Sequence, residues 1–252
     1  MRIVAMTCGW ITAPLEVFLT GEPGTIRVPV PSFLIEHDKG LVLFDAGIHP
    51  SLRADPRVRL GALADIYRVE LPAGEDVAAR LAALGIAPER IQFLITSHLH
   101  FDHTGGNACI PNARLVVQRR EWEAGRDADL QRRNGYDPRD YDLGHDVLCV
   151  DGEHDLFGDG AITCLPTPGH TPAHQSLRLR TAQGDVVLAA DACYLRRTLE
   201  QLHLPPVLYD AAQMTASLER LRRLEAAGAR IFPGHDPDFW ATLPQAPHAI
   251  GA

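Results

Sequence analysis

The apolar positions of the chain fall into short runs separated by Gly, Pro and Asp, a pattern that reads as recurrent strands. Residues 28–37 are mostly apolar but are interrupted by Pro29 and Pro31. Proline has no N–H for a ladder, so this run is expected at a sheet edge. Asp38-Lys39-Gly40 signals a turn into Leu41-Val42-Leu43-Phe44, and the pair reads as a β-hairpin. Further strand-like runs are 91–96, 115–118, 162–165, 176–180, 186–190 and 229–232. Two stretches carry helical periodicity instead. In 75–84, Val77, Leu81 and Leu84 recur at spacings of four and three, with Gly85 and Pro88 as stop signals. In 211–227, Met214, Leu218, Leu221 and Leu224 form one stripe, with Asp210 placed to cap the start and Gly228 to end it.

Strands mixed with helices indicate an α/β or α+β layer protein. No repeat or low-complexity linker divides the 252 residues, so 1–252 reads as one domain. Segments 47–72 and 124–144 have weak periodicity and are expected as loops or short helices covering a site. The tail from 244 to 252 is expected to fray.

Composition narrows the partners. A 46% hydrophobic and 22% charged chain has the means to bury a core. The net charge of −8 leaves no basic footprint for nucleic acid. Lys39 is the sole lysine, and the arginines are interleaved with acids, so Arg222-Arg223 reads as a solvated helix face. Five cysteines without Cys-x-x-Cys spacing argue against a disulfide framework and for a reducing compartment. The first residues are too short an apolar run for a signal peptide. No stretch approaches the roughly 18 apolar residues of a membrane span. A cytoplasmic protein with no membrane partner is the expectation.

The chemistry lies in the histidines. His98, His100, Asp102 and His103 follow directly on the strand-like run 91–96, which brings their side chains together at one rim of a sheet. Nitrogen and carboxylate donors in this density suit a borderline ion such as Zn²⁺. Gly105-Gly106 then lets the backbone turn tightly behind them. His170, Asp191 and His235 each sit at a turn after an apolar run. Alone, each reads as structural or as a helix cap; with the first cluster, they complete a site for two metals. His37, His49, His145, His154, His203 and His248 have no partner spacing and are expected to be structural or solvent-facing. His174 could stand behind the ligands, and Cys193 is expected to pack rather than ligate.

The motif His98-Leu99-His100-Phe101-Asp102-His103, with His170, Asp191 and His235, resembles the metallo-β-lactamase superfamily. The resemblance implies a four-layer αββα sandwich with two mixed β-sheets and the metals at one sheet edge. It assigns His98, His100 and His170 to one ion and Asp102, His103 and His235 to the second, with Asp191 bridging. Asp45, in Phe44-Asp45-Ala46-Gly47, would orient a ligand from behind. The match tightens toward the N-acyl-homoserine-lactone lactonases through Ser97-His98 to Gly106-Asn107, Val117-Gln118-Arg119, Thr167-Pro168-Gly169-His170 to Leu177, Asp191-Ala192-Cys193-Tyr194 and Gly234-His235-Asp236. In that branch the tyrosine matching Tyr194 faces the metals and assists the substrate carbonyl. Segment 47–72 departs from the branch, although it offers Leu52, Val58, Leu60, Leu63, Ile66 and Tyr67 as apolar candidates.

The implied function is hydrolytic opening of a lactone ring, with N-acyl homoserine lactones as substrates, by water activated on two Zn²⁺; Co²⁺, Mn²⁺ or Fe²⁺ are alternative ions. Asp102 and Tyr194 are the expected catalytic side chains, and the chain is expected as a monomer or homodimer. Related hydrolases of the fold remain alternatives, acting on 4-pyridoxolactone, a thioester, an organophosphate or a β-lactam. So does a metal-binding scaffold, although all seven ligand positions are filled.

Overall fold

Twelve strands form among residues 1–251, which the computed structural model describes. They are β1 (Arg2–Pro14), β2 (Thr25–His37), β3 (Gly40–Phe44), β4 (Arg68–Glu70), β5 (Phe93–Ile95) and β6 (Arg114–Gln118). After them come β7 (Val147–Val150), β8 (His154–Asp155), β9 (Ile162–Pro166), β10 (Gln175–Thr181), β11 (Gly184–Ala190) and β12 (Arg230–Pro233). One sheet has the order β4-β1-β2-β3-β5-β6-β7 and the other β12-β11-β10-β9-β8. Both are mixed: β3, β5, β6 and β7 run parallel, as do β11 and β12, and the other pairs are antiparallel.

Alternation of side chains explains the layering. Phe33, Ile35, Val42 and Phe44 of the first sheet point inward against Leu177, Leu179, Val186 and Leu188 of the second, forming the central core. The residues between them point outward. Leu34 and Leu43 pack under the helix Val77–Ala83, whose Val77 and Leu81 are buried. On the far side, Val187 and Ala189 meet Met214, Leu218 and Leu221 of the helix Ala211–Ala226. Each fully buried aliphatic side chain contributes about 1.5–3 kcal/mol, so two apolar faces per strand define a helix–sheet–sheet–helix stack. The expected αββα sandwich is present. Asp76 and Asp210 cap the two helices, accepting from Ala79 N–H and Gln213 N–H.

Two expectations fail. Residues 28–37 are not at an edge, because β2 lies between β1 and β3. Pro31 faces Thr7 and Pro29 faces Trp10 where the register of the β1 ladder shifts, so the missing N–H groups fall at an irregularity. The tail does not fray over its described residues. Ala246 N–H donates to Ala5 C=O and Ile250 N–H to Ile3 C=O, and Ile250 joins the central core. Residue 252 lies outside the described residues.

Segments 47–72 and 124–144 form short helical turns, among them Arg57–Leu60, Gly61–Asp65, Ala128–Asn134 and Pro138–Tyr141, but residues 68–70, expected as loop or helix, form β4 because they pair with β1. A part-buried ion pair of Arg59 with Asp140 joins the two segments. Among the described residues, no helix is long and apolar enough to cross a membrane.

Candidate metal centre

Five strands deliver the site to one edge, the C-terminal end of β3, β5, β9, β11 and β12, where open α/β sheets place their ligands. Asp45 follows β3, residues 96–103 follow β5, His170 follows β9, Asp191 follows β11 and His235 follows β12. Asp45 and Ala190 hold left-handed backbone, φ 56° and 45°, a strain that positions the turn just ahead of each loop. Gly105 and Gly106 act by close approach rather than by turning. A Cβ on Gly105 would lie 2.4 Å from His49 N, and one on Gly106 would lie 2.1 Å from Ala46 O.

All seven expected ligands come together. The donor atoms of His98, His100, His170 and Asp191 lie within 4.8 Å of one another, and so do those of Asp102, His103 and His235. His98 Nε2 is 2.8 Å and His170 Nε2 3.1 Å from His100 Nδ1. Asp191 lies between the groups. Its Oδ2 faces His98 Nε2 at 3.6 Å and His170 Nε2 at 3.4 Å, while its Oδ1 faces His103 Nε2 at 3.2 Å and His235 Nε2 at 3.1 Å. Asp102 Oδ2 completes the second group, 3.7 Å from His103 Nε2 and 3.5 Å from His235 Nε2.

The far nitrogen of each imidazole is held from behind. His103 Nδ1–H donates to Asp45 Oδ2 at 2.9 Å, and His235 Nδ1–H to Pro29 C=O at 2.8 Å. Ser97 N–H and Oγ–H hold the Asp45 carboxylate at 2.7 and 2.8 Å. Ser97 Oγ in turn accepts from His98 Nδ1–H at 3.0 Å. His100 Nε2–H donates to Asn134 C=O at 2.7 Å. His170 Nδ1 is 3.3 Å from the Tyr194 hydroxyl. These bonds leave one ring nitrogen of every imidazole aimed inward, the arrangement a bound cation needs.

Charge makes the same point. Asp45, Asp102 and Asp191 are all buried, and among the described residues only histidines pair with them. Buried carboxylates require positive charge nearby or a full set of hydrogen-bond donors, and here the partners are mainly histidines. Burial opposes the charged form of His103, yet Asp191, Asp102 and Asp45 hold its imidazolium well above the usual range. His235 is raised against its burial by Asp191 and Asp102. Asp191 is likewise held well below the carboxylate range, despite burial, by His103 and His235. Burial drives His98 and His170 well below the usual range, so these two present neutral nitrogens. His103 Nε2 and Asp191 Oδ1 face each other without forming a hydrogen bond. Ligand atoms about 2.1 Å from one tetrahedral ion lie about 3.4 Å apart, close to the spacings here, and the donor set therefore fits divalent cations.

Tyr194 lies against both groups, edge-on to Phe18 at 5.3 Å and 5.3 Å from the His170 ring. Burial, then the charge of Asp191, raises its phenol well above the usual range, so it stays a proton donor. A cavity of about 310 Å³ opens over these residues. Phe18, Leu63, Tyr67, Phe101 and Leu208 supply apolar walls, and Arg132 and Arg133 stand on one side. Burial, aided by Asp102 and Asp191, pushes the Tyr67 phenol up to about 12.

His174 stands behind Asp191. Its Nε2 accepts from Asp191 N–H at 3.2 Å, and its Nδ1–H donates to Thr167 Oγ1 at 2.9 Å. Burial lowers it to about 3, so it remains neutral. Cys193 packs: burial pushes its thiol up to about 12, and it donates to Leu195 C=O at 3.3 Å. The supports at Pro29 and Asn134 escape sequence reasoning because they act through backbone carbonyls. Ser97 stands inside the quoted motif, and its hydroxyl beside the first histidine is the signal that marks it.

Fold and site define a class, and comparison places the chain within it. The chain belongs to the metallo-beta-lactamase superfamily, whose model matches residues 25–235. It is 37% identical over 237 residues to an N-acyl homoserine lactonase AttM of Azorhizobium caulinodans, covering 90% of this chain and 89% of that protein. It is 31% identical over 221 residues to an N-acyl homoserine lactonase of Bacillus cereus, covering 86% and 85%. Among solved structures, an N-acyl homoserine lactone hydrolase with the product N-hexanoyl-L-homoserine at its catalytic metal center superposes with a TM-score of 0.89. Identity there is 26%, over 99% of this chain and 98% of the other.

Proposed function

We propose that the chain, acting as one domain, is a metal-dependent lactonase that opens the ring of N-acyl homoserine lactones. The observation that carries this reading is Asp191, one carboxylate whose two oxygens face two separate histidine groups, with the Tyr194 phenol beside it at the floor of the cavity. His98, His100 and His170 would hold one divalent ion and Asp102, His103 and His235 a second, with Asp191 shared; zinc suits this nitrogen and oxygen set. A bound ion pair supplies a water acidic enough to attack at neutral pH and an electrophile for the ester carbonyl.

The chain's own groups do the rest. Tyr194 O–H donates to the lactone carbonyl oxygen as it gains charge, and a well-placed donor of this kind is worth about 2.7–4 kcal/mol. The water oxygen bonds to the carbonyl carbon, the ring C–O bond breaks, and Asp102, open to the cavity, takes up the proton the water gives up and passes it to the departing oxygen. The product is an N-acyl homoserine with a free carboxylate and hydroxyl. Phe18, Leu63 and Phe101 exclude water beside the reacting bond and accommodate an acyl chain. The similarity to named lactonases over about nine-tenths of the chain supports this substrate class.

The test is a pH-stat assay across acyl-homoserine lactones of several chain lengths, 4-pyridoxolactone, S-lactoylglutathione and a β-lactam. Acid release from the homoserine lactones is expected. Hydrolysis of the thioester or β-lactam alone would overturn the reading.

A further inference from the structure

Glu121 is a buried carboxylate that the reaction does not use. It sits in the helix Arg119–Ala124, directly after β6, and is 0% exposed. No lysine, arginine or histidine pairs with it among the described residues. Its partners are four donors drawn from three separate segments. Oε2 accepts from Thr171 Oγ1–H at 3.0 Å and from Ala173 N–H at 2.9 Å. Oε1 accepts from Tyr136 O–H at 2.5 Å and, more weakly, from Leu99 N–H at 3.4 Å.

Two of the donors adjoin ligands of the same ion, and Ala173 and Tyr136 stand on the segments that carry His170 and support His100. Leu99 lies between His98 and His100, and Thr171 follows His170. Tyr136 stands two residues after Asn134, whose carbonyl holds His100 Nε2–H, and its ring lies 5.5 Å from the His100 ring. Leu99 and Tyr136, two of these donors, pack with Ala124 and Tyr141 as a small apolar cluster of their own. No hydrogen bond of Glu121 reaches Asp102, His103 or His235.

We propose that Glu121 is the positioning residue of one half of the metal centre: it ties the loops of His98, His100 and His170 into the geometry that binds their ion. The proposal rests on the metal-site reading above. Groups that hydrogen-bond a ligand typically set about 10–100-fold in metal affinity, and Glu121 acts through the loops that carry such ligands. Glutamine keeps the size of Glu121 but turns one acceptor into a donor facing other donors.

The test is titration of the metal-free chain with Zn²⁺ by calorimetry, and with Co²⁺ by visible absorption. Wild type, Glu121→Gln, Glu121→Ala and Tyr136→Phe would be compared, each with the melting temperature of its metal-free form. Wild type is expected to bind two ions. Glu121→Gln is expected to bind one of them about 10–100-fold more weakly and the other unchanged, with a matching change in only part of the Co²⁺ spectrum. Tyr136→Phe should shift the same ion by less. Two ions bound by Glu121→Gln with wild-type affinity would overturn the proposal, as would equal weakening of both. Failure of wild type to bind any ion would overturn the metal-site reading and this one together, which separates the two failures. If Glu121→Ala does not fold, Glu121→Gln and Tyr136→Phe decide the matter.

Discussion

The two histidine groups that share Asp191 are braced by different kinds of structure. On the side of Asp102, His103 and His235, the braces belong to the sheet: Asp45 at the end of β3 and the Pro29 carbonyl inside β2. On the side of His98, His100 and His170, they are a serine hydroxyl, the Tyr194 phenol and the Asn134 carbonyl, which closes a short covering helix. One half is therefore built into the framework that folds the protein. The other is assembled where segment 124–144 meets the loops, so the cover of the cavity and the placement of one histidine group are the same piece of structure.

The comparison can be broken at several points. Asp191→Asn removes the charge common to both halves. Both ions are expected to be lost, and activity to fall by on the order of 10³-fold or more, because nucleophile and electrophile depart together; metal analysis beside kinetics checks this. Tyr194→Phe tests whether a brace on one side is also a catalytic donor. Metal content should stay at the wild-type level while kcat falls about 10²–10³-fold, and unchanged kinetics would remove the role assigned to that hydroxyl. Asp45→Asn cuts the framework brace of His103. An affinity loss of about 10–100-fold confined to one ion is expected, and it should be the ion that Glu121 variants leave alone. If both substitutions weaken the same ion, the division into two halves is wrong.

The smallest effect is expected far from both groups. Asp76 caps the helix Val77–Ala83 and pairs with Arg53. Burial works against its charge, but the Ala79 N–H and Arg53 hold the carboxyl below its ordinary range. Its contribution is then complete above pH of about 4 and is lost as pH falls through the lower native value. Asp76→Ala should cost about 1 kcal/mol in urea unfolding at neutral pH. The difference from wild type should close in acid, with neither ion's affinity altered.

Much of this could be seen in the sequence, for identifiable reasons. The helix over 211–226, the hairpin through Asp38-Lys39-Gly40 and the strand ending at Ala190 carry strong local periodicity or turn chemistry. The seven residues that meet at the candidate site are readable because four lie within six residues and the others follow apolar runs. What was not readable depends on distant partners. Pro29 looks like an edge residue until its ladder with β1 is seen to slip. Glu121 looks like any helix acid until loops around Leu99, Tyr136 and Thr171 close upon it. Segments 47–72 and 124–144 form turns too short to show a period, and the pairing of Arg59 with Asp140 across them exists only in the folded chain.

The docked tail has a consequence for how the protein behaves in concentrated solution. β4 pairs with β1 only at Trp10–Thr12, so the stretch of β1 before it would otherwise present an open row of backbone groups. Residues 245–250 lie along that row and occupy the carbonyls of Ile3 and Ala5. An uncovered strand edge is a template for another chain. Those few residues thus act as a stopper against self-association. A bulky fusion placed there would be felt first as light scattering that grows with protein concentration, before any change in catalysis.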